Sequence, residues 1–350
     1  GPGTLYVDAT LRALLDIACG YRQRFSAMVV AITGSVGKTT TKEMIAAVLA
    51  EFAPTLKTEG NLNNLVGLPL SILRLASGHR AAVFEMGMNH FGEISRMTRA
   101  ALPDIAVITN IGTAHIEHLG SREGILRAKT EIFEGLDKEG TVILNGDDQL
   151  LWGLRSKLPY RTVFYGLENT KCDITAENIR QDDRVGTRFI ASTPMGDMDL
   201  FLPAIGQHNV LNALAAVAAG LEYVRRCVKS ADPEEVKGRI ALGLSKFRSA
   251  RMRQNIVHAG GLTIIDDCYN ANPDSMSAAL SVLRTYPARG KRIAVLGDML
   301  ELGDYSEQAH RSLGEEAARS AVHLLLFGNA SKPIMHGAIP SRKPTSEISH

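Results

Sequence analysis

The eight residues Thr33-Gly34-Ser35-Val36-Gly37-Lys38-Thr39-Thr40 join two glycines, a lysine and consecutive hydroxyls between an apolar run and a helical pattern. Glycines let successive backbone N–H groups turn toward phosphate oxygens, and a following helix N-terminus adds its dipole. Lys38 then supplies a point charge and Thr39 a magnesium ligand, with Gly34, Ser35, Val36, Gly37 and Thr40 forming the cradle. The full phosphate-loop spacing would place a glycine at position 32, where Ile32 stands, so the loop is a shortened variant. A plain Gly-rich turn would leave Lys38 and the two threonines after it without a role.

Other chemistry-bearing residues fall at the ends of the next apolar runs. Phe84-Glu85-Met86-Gly87 ends one run on a carboxylate, and Asn110-Ile111-Gly112-Thr113-Ala114-His115 ends another on an imidazole. Ligands of open α/β sheets collect at the carboxyl ends of strands, so Glu85 and His115 are candidates to position magnesium beside a triphosphate. Each alone would read as a capping carboxylate or an ordinary histidine. Lys129, in Ala128-Lys129-Thr130-Glu131, lies in a helical stretch, where spacing alone gives a solvated lysine. The loop containing Asn61, Asn63 and Asn64 offers amide donors to a polar ligand or simply turns, and Asn209, opening a helix in Gln207-His208-Asn209, reads as a cap.

The elements that must hold these residues are legible from periodicity. Apolar residues recur at helical steps from Thr10 to Phe25, and Met28–Ile32, Ala81–Met86, Ile105–Asn110 and Thr141–Asn145 read as buried strands separated by helical patterns. That alternation predicts an α/β fold with a mostly parallel sheet, here a phosphate-loop ATPase domain. Short β-prone pieces between about 160 and 202 predict an antiparallel extension of the sheet. Helices are expected over His208–Val224 and Pro233–Leu244. A second, smaller Rossmann-like α/β unit begins after Arg251, with strands at Leu262–Asp266, Arg292–Leu296 and His323–Phe327. The expected division is a lead-in at 1–25 with a tag scar at its start, a central ATP-binding domain at 26–248, a C-terminal domain at 249–330 and an irregular, loosely packed tail at 331–350.

Composition narrows the class of protein. The 350 residues are 45% hydrophobic and 22% charged, which is globular, and 39 basic against 37 acidic residues leave no net field to favour nucleic acid or an anionic membrane. The cysteines at 19, 172, 227 and 268 form no CxxC pair, which fits free thiols in a reducing cytoplasm rather than structural zinc. The sequence predicts neither a membrane span nor a secretory signal core, and a monomer is expected.

The motifs TGSVGKTT, EGNLNNLVGLPLS, FEMGMN, TNIGTAHIEHLGS, AKTEIF, GQHNVLNALAA, DDCYNANPDSM and LGDMLELG, from about Asp8 to Phe327, together resemble the ATP-dependent Mur ligases. The last two favour the cell-wall branch over folylpolyglutamate-type relatives. The resemblance implies ATP and Mg2+, with UDP-N-acetylmuramoyl-tripeptide and D-Ala-D-Ala as small-molecule substrates. ATP would phosphorylate the peptide carboxylate, and the D-Ala-D-Ala amine would attack the acyl phosphate. By similarity, Lys38 would stabilise the transferring phosphoryl group, Thr39 and Glu85 would hold one magnesium and His115 a second, and Lys129 would be carbamylated into an anionic ligand. Lys38, His115 and Lys129 are thus the implied catalytic set. His208, Asn209 and Asn212 would face the adenine, Asn61, Asn63 and Asn64 the precursor, and Asp267, Tyr269 and Asn270 would close over the nucleotide. Arg251 would lie near the interdomain seam. The family places a UDP-binding domain before the ATPase strand and continues its last domain beyond residue 350, so this chain is expected to keep ATP binding and to bind precursor weakly.

Overall fold

The computed structural model describes residues 4, 6–182, 186–228, 230–288, 290–329, 331–341 and 347–349. The residues at 1–3, taken above as a tag scar, lie outside this set.

Nine strands form the main sheet: β1 (Met28–Thr33), β2 (Thr55–Lys57), β3 (Ala81–Glu85), β4 (Ile105–Ile108), β5 (Thr141–Asn145), β6 (Arg161–Gly166), β7 (Ile174–Asp182), β8 (Gly186–Ser192) and β9 (Met198–Leu202). Their order is β2-β3-β1-β4-β5-β6-β7-β8-β9. Pairing is parallel from β2 through β7 and antiparallel from β7 to β9. Side-chain parity explains why the central strands read as unbroken apolar runs. Met28, Val30 and Ile32 enter one buried cluster, with the helices Lys38–Ala50 and Gln207–Cys227, while Val29 and Ala31 enter another on the opposite face. A strand covered on both faces has no polar alternation to show. The Ala-rich helix lies close on its neighbour, because a Cβ on Gly220 would stand 2.8 Å from Val48 Cγ1.

The second unit contains a hairpin, β10 (Asn255–Ala259) with β11 (Leu262–Asp266), and a parallel sheet of β12 (Ile293–Leu296), β13 (His323–Leu326) and β14 (Glu347–Ser349). Its core is separate, built from residues such as Leu280, Leu296, Leu313, Leu324 and Ile334.

Three expectations are corrected. The piece at 161–166 pairs in parallel with β5 rather than extending the sheet antiparallel, and β7, polar along most of its length, escaped the apolar criterion. Leu262–Asp266 is not a strand of the second parallel sheet but pairs antiparallel with β10, because the tight turn at Gly260-Gly261 folds it straight back. The tail is not irregular: Lys332–Ser341 is a helix with Ile334 and Ala338 buried, and β14 adds to the sheet. Pro333 and Gly337, residue types that ordinarily interrupt a helical pattern, are accommodated there. Pro333 sits in the helix's first turn, where its missing N–H costs nothing. Gly337 lets the helix lie on Ser306–Ser320, where a Cβ would stand 1.9 Å from Arg311 O.

Among the described residues no helix is long and apolar enough to cross a membrane. The four cysteines are free.

Candidate active site

The phosphate loop leaves β1 at Thr33 and enters the helix at Lys38 through two glycines that no larger residue could replace. Gly34 has φ +153 and its Cβ would stand 1.8 Å from Thr109 Oγ1, while Gly37 has φ +82 with Asn212 Oδ1 at 2.8 Å from the same virtual atom. Asn110 holds the turn from the end of β4: its Oδ1 accepts from Ser35 N and Val36 N, both at 3.0 Å. Thr109 Oγ1 donates to Val36 O at 2.6 Å. Those two loop amides are thus engaged inside the protein, which leaves the amides at the helix start, without an intrahelical acceptor, as the donors open to a ligand. Lys38 Nζ donates to Gly34 O at 2.8 Å and to Ser35 O at 3.1 Å. Burial lowers its pKa, against the raising effect of Glu85.

Glu85 is 2% exposed and ends β3 beside this loop. Its Oε1 accepts from Thr39 Oγ1 at 3.1 Å and Asn63 Nδ2 at 2.8 Å, and Lys42 Nζ lies 3.6 Å from Oε2. Lys42 also meets Glu43 at 3.1 Å, and Glu43 in turn pairs with Lys57. Oε2 is buried and makes no hydrogen bond. A buried carboxylate oxygen with an open valence, next to a threonine hydroxyl, fits a hard cation. Among the described residues no group of three His, Cys, Asp or Glu side chains converges, so such an ion would take the rest of its shell from phosphate and water oxygens.

His115 does not join Glu85 in that set. It caps Ile116–Leu119 with φ 63, and its Nδ1 meets Glu301 Oε2 from the second unit at 2.5 Å. Burial lowers its pKa, the Glu301 charge raises it, and the Lys38 and Lys129 charges lower it further. Those couplings place Lys38, His115 and Lys129 in one electrostatic neighbourhood. Lys129, on the buried face of the helix Arg122–Thr130, is 2% exposed, and burial, then Lys38, hold its pKa well below the ordinary lysine value. It is not the solvated lysine that spacing alone suggested.

The cleft is walled by the loop residues 35–40, Thr109 and Asn110 on one side, and by Arg253, Gln254, Asp267, Asn270 and Asp274 of the second unit on the other. His208, Asn209 and Asn212 line it as well. Of the expected nucleotide-facing residues, Tyr269 is the exception. It does not line the cleft but is 47% exposed, with the Arg253 guanidinium 4.2 Å from its ring. Arg251 is exposed and does not line the cleft, whereas Arg253, two residues on, does. The asparagine loop divides its labour: Asn63 serves Glu85, Asn64 Oδ1 caps Gly67–Ile72 by accepting from Gly67 N at 2.8 Å, and Asn61 is exposed. Sequence reasoning missed Asn110, Lys42, Gln254, Asp274 and Glu301. Asn110 was signalled by its place at the end of an apolar run, and Asp274 and Glu301 by their places in the DDCYNANPDSM and LGDMLELG motifs, whereas Lys42 and Gln254 had no signal.

A strand-to-helix phosphate loop, with a buried strand-end carboxylate and a second α/β unit over the cleft, defines a two-domain nucleotide-binding enzyme. Sequence comparison gives the family: the profile of the Mur ligase middle domain matches residues 32–220, and that of the Mur ligase, glutamate ligase domain matches 251–347. The chain belongs to the Mur ligase family. The second match includes much of the segment expected to be an irregular tail. Among curated relatives, the UDP-N-acetylmuramoyl-tripeptide--D-alanyl-D-alanine ligase of Bacillus subtilis is 41% identical over 338 residues, 96% of this chain and 70% of that protein. The Escherichia coli ligase of the same name is 39% identical over 324 residues, 92% and 69% of the two chains. A crystal structure of MurF from Acinetobacter baumannii superposes with a TM-score of 0.87 at 36% identity, covering 98% of this chain and 72% of that one. MurF ligase from Thermotoga maritima, solved in complex with ADP, superposes at 0.84 with 28% identity, covering 99% and 76%. FPGS from L. casei, at 15% identity and a TM-score of 0.64, shares the fold alone.

Proposed function

We propose that this chain carries the ATP-dependent ligase centre that joins D-Ala-D-Ala to the peptide carboxylate of UDP-N-acetylmuramoyl-tripeptide, forming a C–N bond. The observation that carries the reading is the cleft with the phosphate loop on one wall and the second unit's polar side chains on the other. The kinship with ligases of that name supplies the substrates.

The chain's own groups have distinct tasks. The helix-start amides at 38–40 and Lys38 bind and orient the phosphates. In the transition state Lys38 offsets the charge that spreads over the transferred phosphoryl oxygens. Thr39 and Glu85 would hold Mg2+, which when bound neutralises phosphate charge. Asn63 and Lys42 orient the Glu85 carboxylate. His115 and Lys129 stand near enough to Lys38 to share its field, and burial favours the uncharged Lys129 amine, the form that can take up carbon dioxide. His208, Asn209 and Asn212 meet the base, while Asp267, Asn270 and Asp274 cover the nucleotide and exclude water from the acyl phosphate until the amine arrives. Separate domains at 26–248 and from 249 onward let this cover open for exchange, and cytoplasmic residence suits substrates made from nucleotides.

Coupled ADP detection tests the reading. Steady-state ADP release should require both the tripeptide precursor and D-Ala-D-Ala, with one equivalent of a pentapeptide product identified by mass for each ADP, while precursor alone gives at most one ADP per site. ADP formation at the same rate without the amine substrate would refute it.

A further inference from the structure

Where the helix Gln207–Cys227 opens, two side chains meet the segment that leads into the second unit. Asn209 Nδ2 donates to Ile205 O at 2.8 Å and to Gln254 Oε1 at 3.0 Å. A carbonyl oxygen only accepts, so the NH2 end of Asn209 is fixed toward Ile205 and both of its N–H groups are spent. His208 Nε2 lies 3.1 Å from the same Gln254 oxygen, which makes that nitrogen the protonated one. The amide end of Gln254 is turned to Asp267, where it and the Gln254 backbone amide act with Arg253 against the burial that raises this carboxyl's pKa. Gln254 has φ 50 and Met252 φ 58, left-handed values that cost energy for non-glycine residues and persist only where surrounding contacts enforce them. Asn209 is 6% exposed, and Asn209, Gln254 and Asp267 all line the cleft.

We propose that Gln254 is a specificity-determining residue for the nucleotide base. By consuming the second N–H of Asn209 it leaves that buried amide only its oxygen to offer a ligand, so the site selects a purine bearing an exocyclic amino group over one bearing an oxo group. The inference rests on the reading that the base of ATP lies against Asn209. Adenine presents N–H donors at its 6-position, which Asn209 Oδ1 accepts. Hypoxanthine presents an oxygen there, leaving two acceptors facing each other with no proton between them.

Calorimetry of the full chain with magnesium and either ADP or IDP tests this, using Gln254→Met and Gln254→Glu. Wild type should prefer ADP by about tenfold or more, the discrimination expected when a mismatched ligand leaves a buried polar group unpaired. Gln254→Met keeps the length but has no acceptor, which frees one Asn209 N–H for the hypoxanthine oxygen, and the preference should fall to about threefold or less. Gln254→Glu keeps an acceptor for Asn209 and should retain the preference even if its carboxylate, facing Asp267, weakens both nucleotides. A general structural role would lower both affinities in both variants and leave the ratio alone. An unchanged ratio in Gln254→Met, or its collapse in Gln254→Glu, would overturn the inference. A wild-type chain that binds neither nucleotide would overturn the nucleotide reading beneath it.

Discussion

Gly112 sits where the two units touch, and adding a single methyl group there separates the role of docking from the role of the phosphate loop. Its amide donates to Ser35 Oγ at 2.9 Å, so it lies against the loop, and a Cβ would stand 2.1 Å from Asp274 Oδ2 and 3.1 Å from Ser35 Cβ. Asp274 is the second residue of the helix Pro273–Thr285 in the other unit and accepts from Thr113 N at 3.2 Å. In Gly112→Ala the carboxylate must turn away from Thr113. The loss is one hydrogen bond to a charged acceptor at a solvent-reached seam, about 1–2 kcal/mol after allowing for hydration, or roughly five- to thirty-fold in the docking equilibrium. Because the severe clash lies between units, and the approach to Ser35 Cβ asks that loop to give by only a few tenths of an ångström, each unit keeps its fold. Nucleotide affinity should fall by that factor and small-angle scattering should show a larger radius of gyration, with the melting temperature within a degree or two of wild type. Asp274→Ala removes the obstructing carboxylate, so the double variant should be no weaker than Asp274→Ala alone. Full additivity of the two losses, or a Gly112→Ala protein with wild-type affinity and dimensions, would refute this picture of the seam.

Lys38→Ala should cut turnover by about 10²–10³, the cost of one transition-state electrostatic contact. Its melting temperature should change little, since water entering the cleft can rehydrate the Gly34 and Ser35 carbonyls. Steady-state rates and thermal melts check both. Glu85→Gln should shift the magnesium titration of nucleotide binding to higher concentration, because it removes the buried charge beside Thr39, and an unchanged curve would leave Glu85 a structural residue. Lys129 titrates below its ordinary range, so the native protein binds fewer protons than the unfolded chain between that depressed value and the ordinary one. Stability in carbonate-free buffer should therefore rise with pH across that window, and the gain in melting temperature from Lys129→Met should be largest at neutral pH and shrink toward pH 10. A gain independent of pH would show Lys129 to be charged in the fold. In carbonate-containing buffer, turnover lost in Lys129→Ala should be partly restored by short carboxylic acids standing in for the carbamate.

Much of this architecture is legible in the chain because its signals are local. The phosphate loop, the strands flanking it and the Ala-rich helix declare themselves through glycine spacing and period. β7 and β10 do not, since a strand held chiefly by its neighbours' backbone need not show an apolar alternation. The helix Lys332–Ser341 was hidden by its own Pro333 and Gly337, which break a pattern in isolation and fit a packed helix pair in place. The site divides likewise. Glu85 and His115 were marked by their positions at strand ends, whereas the burial of Lys129 and the convergence of His208, Asn209 and Asp267 on Gln254 come from segments distant in sequence. No single stretch carries those pairings. Arg253 rather than Arg251 lines the cleft, with the left-handed residue Met252 between them, a backbone conformation that the sequence does not signal.

The central claim is that the cleft makes an acyl phosphate and passes it to an amine, and an oxygen-isotope transfer tests it most directly. With 18O in the terminal carboxylate of the tripeptide precursor, amide formation through an acyl phosphate predicts one 18O atom in each phosphate released, equal in amount to the ADP and the pentapeptide formed. Phosphate without the label would mean that water, not the carboxylate, receives the phosphoryl group, and would contradict the account.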